Sequence, residues 1–251
     1  MLKRTFKKIG ISKSDIAFVV GIVIFKGSIV DMNTIPSESM MPLMKVDDRV
    51  HVDKLAYSFR LPMTTTHLWR WDTPKSGEVV TFIESDSRSL YIKRVIGVEG
   101  DLVNMVDGVI SVNGVTLDQV ENTKSRYTAA GFMVATENNG HLNYPVRYSQ
   151  ELSKAAEYAR DNDPTMIHLS LRDNSWVVPE GKILVMGDNR DESYDSRFFD
   201  YTFVDVDSVT GRAKQIIGNF TPVMIADVKA PIIFSGITER WRSIYDDGDN
   251  E

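Results

Sequence analysis

Leu90-Tyr91-Ile92-Lys93-Arg94-Val95-Ile96-Gly97-Val98 is the stretch on which the fold turns. Its β-branched and aromatic residues predict a strand. The run Glu78 to Ile83 (EVVTFI) precedes it across a polar turn, so the two predict neighbouring strands. Val46 to Ala56 alternates charged and apolar residues, the pattern of a half-buried strand. Asp107-Gly108 and Asn113-Gly114 are hairpin signals between short apolar runs. Trp176 to Met186 and Gly211 to Val228 predict further strands, and His67 to Pro74 is aromatic and loop-like. Ser149 to Arg160 is the one clear internal helix, with Ser149 as its cap. Many short strands and few helices predict a mainly β fold.

The chain has 251 residues, long enough for one large domain or two small ones. Its formal net charge of -6 gives no reason to expect a nucleic-acid partner. The absence of cysteine excludes thiolate catalysis, zinc–thiolate sites and disulfides. His51, His67, His141 and His168 are scattered and form no H-E-x-x-H pair. There is no G-x-S-x-G elbow, P-loop or G-x-G-x-x-G.

Lys3, Arg4, Lys7, Lys8 and Lys13 make the first 14 residues basic, and Ile16 to Phe25 (IAFVVGIVIF) is wholly apolar. A full span needs about 20 apolar residues, so this segment is short even when extended to Met32. Lys26 could snorkel to an interface. The basic flank favours a cytoplasmic N-terminus with the rest outside. A cleaved signal peptide is a competing reading, but no small-x-small site follows the segment. A core helix of a soluble protein is another. A single-pass anchor over 16–32 is the preferred expectation, with membrane lipid as a partner. The acidic tail 246–251 is expected to be disordered.

Three stretches carry chemistry. Ser39 lies in a loop stiffened by Pro36 and Pro42. A serine hydroxyl is a weak nucleophile until a base takes its proton, and a neutral lysine can serve as that base. Lys93 sits among Tyr91, Ile92, Val95 and Ile96, where burial would lower its pKa into a working range. A strand lysine facing solvent and a turn serine are the bland alternatives. Ser37 could join the Ser39 N–H as an oxyanion donor. The turn Asp188 to Asp195 fails as a calcium loop, with Arg190, Ser193 and Phe199 at ligand or glycine positions. It reads instead as a brace, and no metal is expected. Arg190, Arg197, Asp188, Asp191 and Asp195 can pair with one another and with Arg94. Ser193 could orient the Lys93 side chain.

Ile35-Pro36-Ser37-Glu38-Ser39-Met40-Met41-Pro42, then Tyr91-Ile92-Lys93-Arg94-Val95 through Gly100-Asp101, then Gly187-Asp188-Asn189-Arg190-Asp191 through Ser193, Asp195, Ser196 and Arg197, resemble in this order the type I bacterial signal peptidases. These leader peptidases are Ser/Lys-dyad serine proteases. The resemblance covers Ile35 to Ala213 and is loose in the middle. It implies Ser39 as nucleophile, Lys93 as general base, Ser37 as oxyanion helper and Ser193 as a hydrogen-bond partner of the lysine. It implies a brace of Asp195, Arg197 and an Asp188–Arg94 pair. Ile35, Pro36, Met40, Met44, Tyr91 and Ile92 match positions that line the pockets for small residues before the cut. The implied fold is a signal-peptidase-like β core of antiparallel sheets with an inserted second β region and an N-terminal membrane helix. The expected division is a basic cytoplasmic segment 1–15, the anchor 16–32, a core in two parts (33–105 and 175–245), an insertion 106–174 and the tail 246–251. The implied activity is cleavage of preproteins after an Ala-x-Ala-like signal, on the outer face of the bacterial inner membrane, with no cofactor.

The sequence departs from the family at Glu38, where glycine is usual, and at Lys45, Asp47 and Glu99. Glu38 would be strained if its backbone needed a positive φ. A carboxylate beside Ser39 would also disfavour an oxyanion and favour charged Lys93. Replacing Glu38 by glycine is therefore expected to raise turnover. A specialised relative that matures a pilin or conjugation substrate is the near alternative, and a catalytically impaired preprotein-binding module is a further one. A self-cleaving repressor-type Ser/Lys protein would need an N-terminal helix-turn-helix, which this N-terminus does not offer.

Overall fold

The computed structural model describes residues 12–24, 28–62, 64, 66–121, 129–219, 224–225, 228–229 and 242–245. In chain order the elements begin with α1 (Lys13–Ile24), β1 (Val30–Thr34), β2 (Asp48–Asp53), β3 (Ser58–Arg60), β4 (His67–Arg70), β5 (Val79–Ile83) and β6 (Leu90–Val98). β7 (Leu102–Val106), β8 (Val109–Val112), β9 (Val115–Thr116), β10 (Asp118–Glu121), β11 (Phe132–Asn138) and β12 (Asn143–Ser149) follow, and then α2 (Gln150–Asn162). The last are β13 (Asn174–Val177), β14 (Lys182–Met186), β15 (Val204–Asp205), β16 (Val209–Asn219), β17 (Met224–Ile225), β18 (Val228–Lys229) and β19 (Arg242–Ser243).

The fold is mainly β, and every strand pairing is antiparallel. The largest sheet runs β1-β2-β16-β5-β6-β14-β15, with β19 beside β16. β13-β7-β8-β9 and β10-β11-β12 form two further sheets. β16 shifts register against both β2 and β5, as bulges do when a long strand turns between partners.

Local chemistry accounts for much of this. Asp107-Gly108 joins β7 to β8 and Asn113-Gly114 joins β8 to β9 as two-residue loops. All four residues have positive φ, the condition for a turn that matches strand twist. β12 runs directly into α2, where the Ser149 hydroxyl accepts a hydrogen bond from the Leu152 N–H at 3.3 Å. His67 to Arg70, expected as loop, is a strand because its backbone pairs with Ser58–Arg60. Trp69 nevertheless stays exposed.

α1 has 12 residues and exposes Ile16, Phe18 and Val19. At 1.5 Å per residue it is about 18 Å long, short of the ~30 Å hydrocarbon core. No helix among the described residues is long and apolar enough to cross a membrane. Residues 16–32 are not one helix: Val30, Asp31 and Met32 pair with Asp53, Val52 and His51 in the main sheet, because β2 supplies the backbone partners. Residues 25–27 of that segment, the tail 246–251 and the first 11 residues lie outside the described set.

Three apolar clusters build the core around the main sheet. Ile35, Met40, Leu43 and Met44 pack with Val50, Val52 and Ile216 beneath the loop that carries Ser39. Val80, Phe82, Val95 and Phe199 pack on one face of β6. Ile96, Val103, Trp176 and Leu184 join the main sheet to the β7 sheet.

Candidate active site

Lys93 owes its surroundings to strand alternation. Tyr91, Lys93 and Val95 share one face of β6, and Val80 of β5 lies directly opposite Lys93. Tyr91, Val80 and Val95 belong to the Phe82–Phe199 cluster, so the lysine stem rises through apolar matter and is 3% exposed. Its Nζ lies 2.6 Å from Ser39 Oγ. Burial lowers the Lys93 pKa to about 8; Asp195 and Asp188 oppose that shift, and Arg197 reinforces it. No carboxylate forms an ion pair with this amine among the described residues.

Ser39 sits on a loop held from below and from the side. Met40, Leu43 and Met44 anchor it in the core. The Asn189 N–H donates to the Ser39 carbonyl at 3.1 Å, and Asn189 Nδ2 donates to the Glu38 carbonyl at 3.2 Å. Gly187 permits this approach: a Cβ there would overlap the Ser39 carbonyl oxygen and the Ser193 hydroxyl. The Ser39 N–H has no hydrogen-bond partner among the described residues, so it is free to donate to a bound oxygen. Ser37 Oγ lies 3.4 Å from Ser39 Oγ.

The brace residues meet as pairs. Arg94 donates two hydrogen bonds to Asp188, both at 2.7 Å, and a third to the Gly77 carbonyl at 2.8 Å. Burial alone would lower the Arg94 pKa, and the Asp188 carboxylate reverses this and holds it above the ordinary value. Arg197 pairs with Asp195 at 2.8 Å. Burial would raise the Asp195 carboxyl, but Arg197 and the Gly187 N–H overcome that and keep it low. Asp195 thus anchors Gly187 directly, through a 2.9 Å hydrogen bond.

Several expected placements come out differently. The Ser193 hydroxyl is buried and makes no hydrogen bond among the described residues, to Lys93 or to anything else; it packs against Gly187 instead. Ile35, Met40 and Met44 do not wall the groove. They are at most 1% exposed, because the loop turns these apolar side chains inward to the core. Pro36, Tyr91 and Ile92 do line it, together with Ser89, Leu90, Glu192 and Tyr194. This groove measures about 440 Å³ and contains Ser39 and Lys93. Glu38 has no positive φ, so the strain expected there is absent; Asp47, another of the positions that depart from the family, does have one, at 67°.

Sequence reasoning missed Arg147. This β12 residue pairs with the Glu38 carboxylate at 2.8 Å and with Glu192 at 3.2 Å. Its guanidinium stacks over the Phe132 ring at 4.1 Å. The unusual Glu38 was the only signal in the sequence that a cation had to be near. With that partner in place, Glu38 no longer argues for an impaired site.

The buried hydroxyl–amine pair and the ion pairs that bracket it fall in the three stretches singled out in the sequence. Residues 10–217 match the model of the family described as signal peptidase, peptidase S26. The chain belongs to the signal peptidase family. The signal peptidase I of Pseudomonas fluorescens is 31% identical over 181 residues, covering 71% of this chain and 58% of that protein. The Pseudomonas aeruginosa signal peptidase I gives the same identity and coverage. The signal peptidase I of Buchnera aphidicola subsp. Schizaphis graminum is 27% identical over 224 residues, 79% of this chain and 71% of its own. The chain thus spans under two thirds of the length of the Pseudomonas relatives. A solved signal peptidase I from Enterococcus faecalis V583 is 23% identical, with a TM-score of 0.33 over 56% of this chain and 97% of that one.

Proposed function

We propose that this signal peptidase family member is a membrane-anchored serine endopeptidase that removes signal peptides from exported preproteins through a Ser39/Lys93 dyad. The observation that carries the reading is the 2.6 Å approach of Ser39 Oγ to a buried lysine amine that has no ion-pair partner among the described residues. Above about pH 8 that amine is mostly neutral and can accept a proton.

The groove supports a peptide substrate. β5 runs beside Leu90–Arg94 on one side of β6, and β14 runs beside Arg94–Val98 on the other. On the β14 side, Leu90 to Lys93 have no strand partner among the described residues. An extended peptide can add to that open edge, which places its carbonyls beside Ser39. The bulk of Pro36, Tyr91 and Ile92 leaves room for small side chains before the cut.

In the reaction Ser39 Oγ attacks the scissile carbonyl carbon and its proton passes to Lys93 Nζ. The tetrahedral oxyanion accepts hydrogen bonds from the Ser39 N–H and the Ser37 hydroxyl. The Lys93 ammonium then protonates the leaving amine, which breaks the C–N bond. Lys93, neutral again, takes a proton from water as the water oxygen attacks the acyl carbon; the C–Oγ bond then breaks and Lys93 returns the proton to Ser39 Oγ. These steps require no metal or coenzyme. Asp188, Arg94, Asp195 and Arg197 hold Gly187 and β6 in place and do not touch the substrate.

The apolar α1, with its exposed Ile16, Phe18 and Val19, supports attachment to lipid. The basic residues before it support a cytoplasmic N-terminus and a catalytic domain on the outer face of the bacterial inner membrane. The test is cleavage of a preprotein bearing an Ala-x-Ala site by the purified full chain. Ser39→Ala and Lys93→Ala should each abolish cleavage, a loss of at least about 10³-fold. A variant lacking either side chain that still cuts at the same site would end the proposal.

A further inference from the structure

We infer that Arg147, outside the Ser39 and Lys93 segments, is a positioning residue of the active site: its guanidinium holds the Glu38 carboxylate away from the oxyanion position. This deepens the endopeptidase reading and rests on it.

The problem it solves is electrostatic. Glu38 immediately precedes Ser39, and the Ser39 N–H, which has no hydrogen-bond partner among the described residues, is where negative charge would develop. A free carboxylate at that point would repel the oxyanion and hold Lys93 in its charged, inactive form. Arg147 removes both effects at once. Its Nη2 binds Glu38 Oε2 at 2.8 Å, while Glu38 is 57% exposed and Arg147 only 4%. The buried partner therefore fixes the position of the exposed one.

Arg147 is itself firmly placed. Its N–H donates to the Asp188 carbonyl at 2.9 Å, and its carbonyl accepts from the Arg190 N–H at 3.0 Å. The guanidinium lies on Phe132. It also takes Glu192 at 3.2 Å, and Asn189 Nδ2 binds the same Glu192 oxygen at 3.0 Å. Both carboxylates on the rim of the groove are thus directed to one cation. Neither the Glu38–Arg147 pair nor Glu192 touches Lys93. The charges that act most on Lys93 as the site stands are Asp195, Arg197 and Asp188, and Arg94 and Arg197 each neutralise one of those carboxylates.

The experiment measures cleavage of a synthetic peptide with an Ala-x-Ala site against pH, using the full chain. Arg147→Met keeps an unbranched apolar side chain beside Phe132 and the backbone bonds but removes the charge and the guanidinium. It should lower kcat about tenfold and move the alkaline-rising limb up by about half a pH unit or more. Glu38→Gln, a change at an exposed position, should move the limb down, because Arg147 then keeps Glu192 as its one remaining carboxylate partner among the described residues and presents more positive charge to the site. The double variant should recover most of the kcat lost in Arg147→Met, and Arg147→Lys should retain part of it. A limb that stays put in both single variants, or a double variant no better than Arg147→Met, overturns the inference. If Arg147→Met does not fold, the limb of Glu38→Gln decides alone. Ser39→Ala runs beside them. If that variant still cuts the peptide, the endopeptidase reading fails and this inference falls with it. If it is inactive while the limbs do not move, only the inference fails.

Discussion

Lys93 and Arg94 are consecutive cations on one strand, both buried, and they meet opposite fates. Arg94 faces Asp188 with two parallel 2.7 Å hydrogen bonds, a third to the Gly77 carbonyl, and the Tyr144 ring 3.9 Å from its guanidinium carbon. Lys93, on the other face, meets a hydroxyl and apolar walls. Burial acts on both. For Arg94 a carboxylate outweighs it and the charge is kept, whereas for Lys93 nothing does and the pKa falls to about 8. One strand therefore carries a fixed cation for structure and a titrating amine for chemistry, and what separates them is which face has a carboxylate in contact.

The largest break in that comparison is to take away the guanidinium of Arg94. Arg94→Met leaves Asp188 as a buried carboxylate without its partner, and losing one member of a buried pair costs about 3–5 kcal/mol. Chemical denaturation should show that loss, along with a lower Tm. Replacing both residues, as in Arg94→Met with Asp188→Leu, should recover a large part of it. A single variant as stable as the wild type would mean that Arg94 is not a structural cation.

The next effect sharpens the other half. With a folded pKa near 8, the neutral form of Lys93 dominates above that value and is lost as pH falls below it. At pH 6 only about one molecule in a hundred carries the free amine. Cleavage should therefore rise about tenfold per unit from pH 6 to 7.5 and level off above about 8.5. A rate that stays flat from pH 6 to 10 would show that no amine of this kind limits the reaction.

Much of the scaffold is legible in the sequence because local chemistry encodes it. The Asp-Gly and Asn-Gly pairs specify two-residue turns through their φ preference, and Ser149 caps α2 through its own side chain. The three motif stretches carry the Ser39–Lys93 contact because their residue types are unusual together. What the sequence hid depends on direction and distance. A loop such as Ile35 to Met44 has no periodicity, so nothing in it says that Met40 and Met44 point into the core while Pro36 faces the groove. His67 to Arg70 is a strand only by virtue of a three-residue partner. Arg147 lies 109 positions from Glu38 in a region of loose resemblance, and ion pairs at that separation leave no local mark.

The smallest expected effect concerns Ser37, and it tests how dry the reacting end of Lys93 is. The Ser37 hydroxyl lies 3.4 Å from Ser39 Oγ, a long contact, and Ser37 itself is exposed. An exposed donor can be replaced by water, so Ser37→Ala should lower kcat only about tenfold and leave KM and the pH limb in place. That is less than a fully enclosed oxyanion donor would lose, about 10²–10³-fold. A loss in that larger range would mean that bound peptide seals the Ser37 side of the groove from water. An unchanged kcat would leave the Ser39 N–H as the sole donor of the pair. A shifted pH limb would mean instead that Ser37 acts on the amine, and that the apolar face of β6 is not by itself what sets the lysine apart from its neighbour.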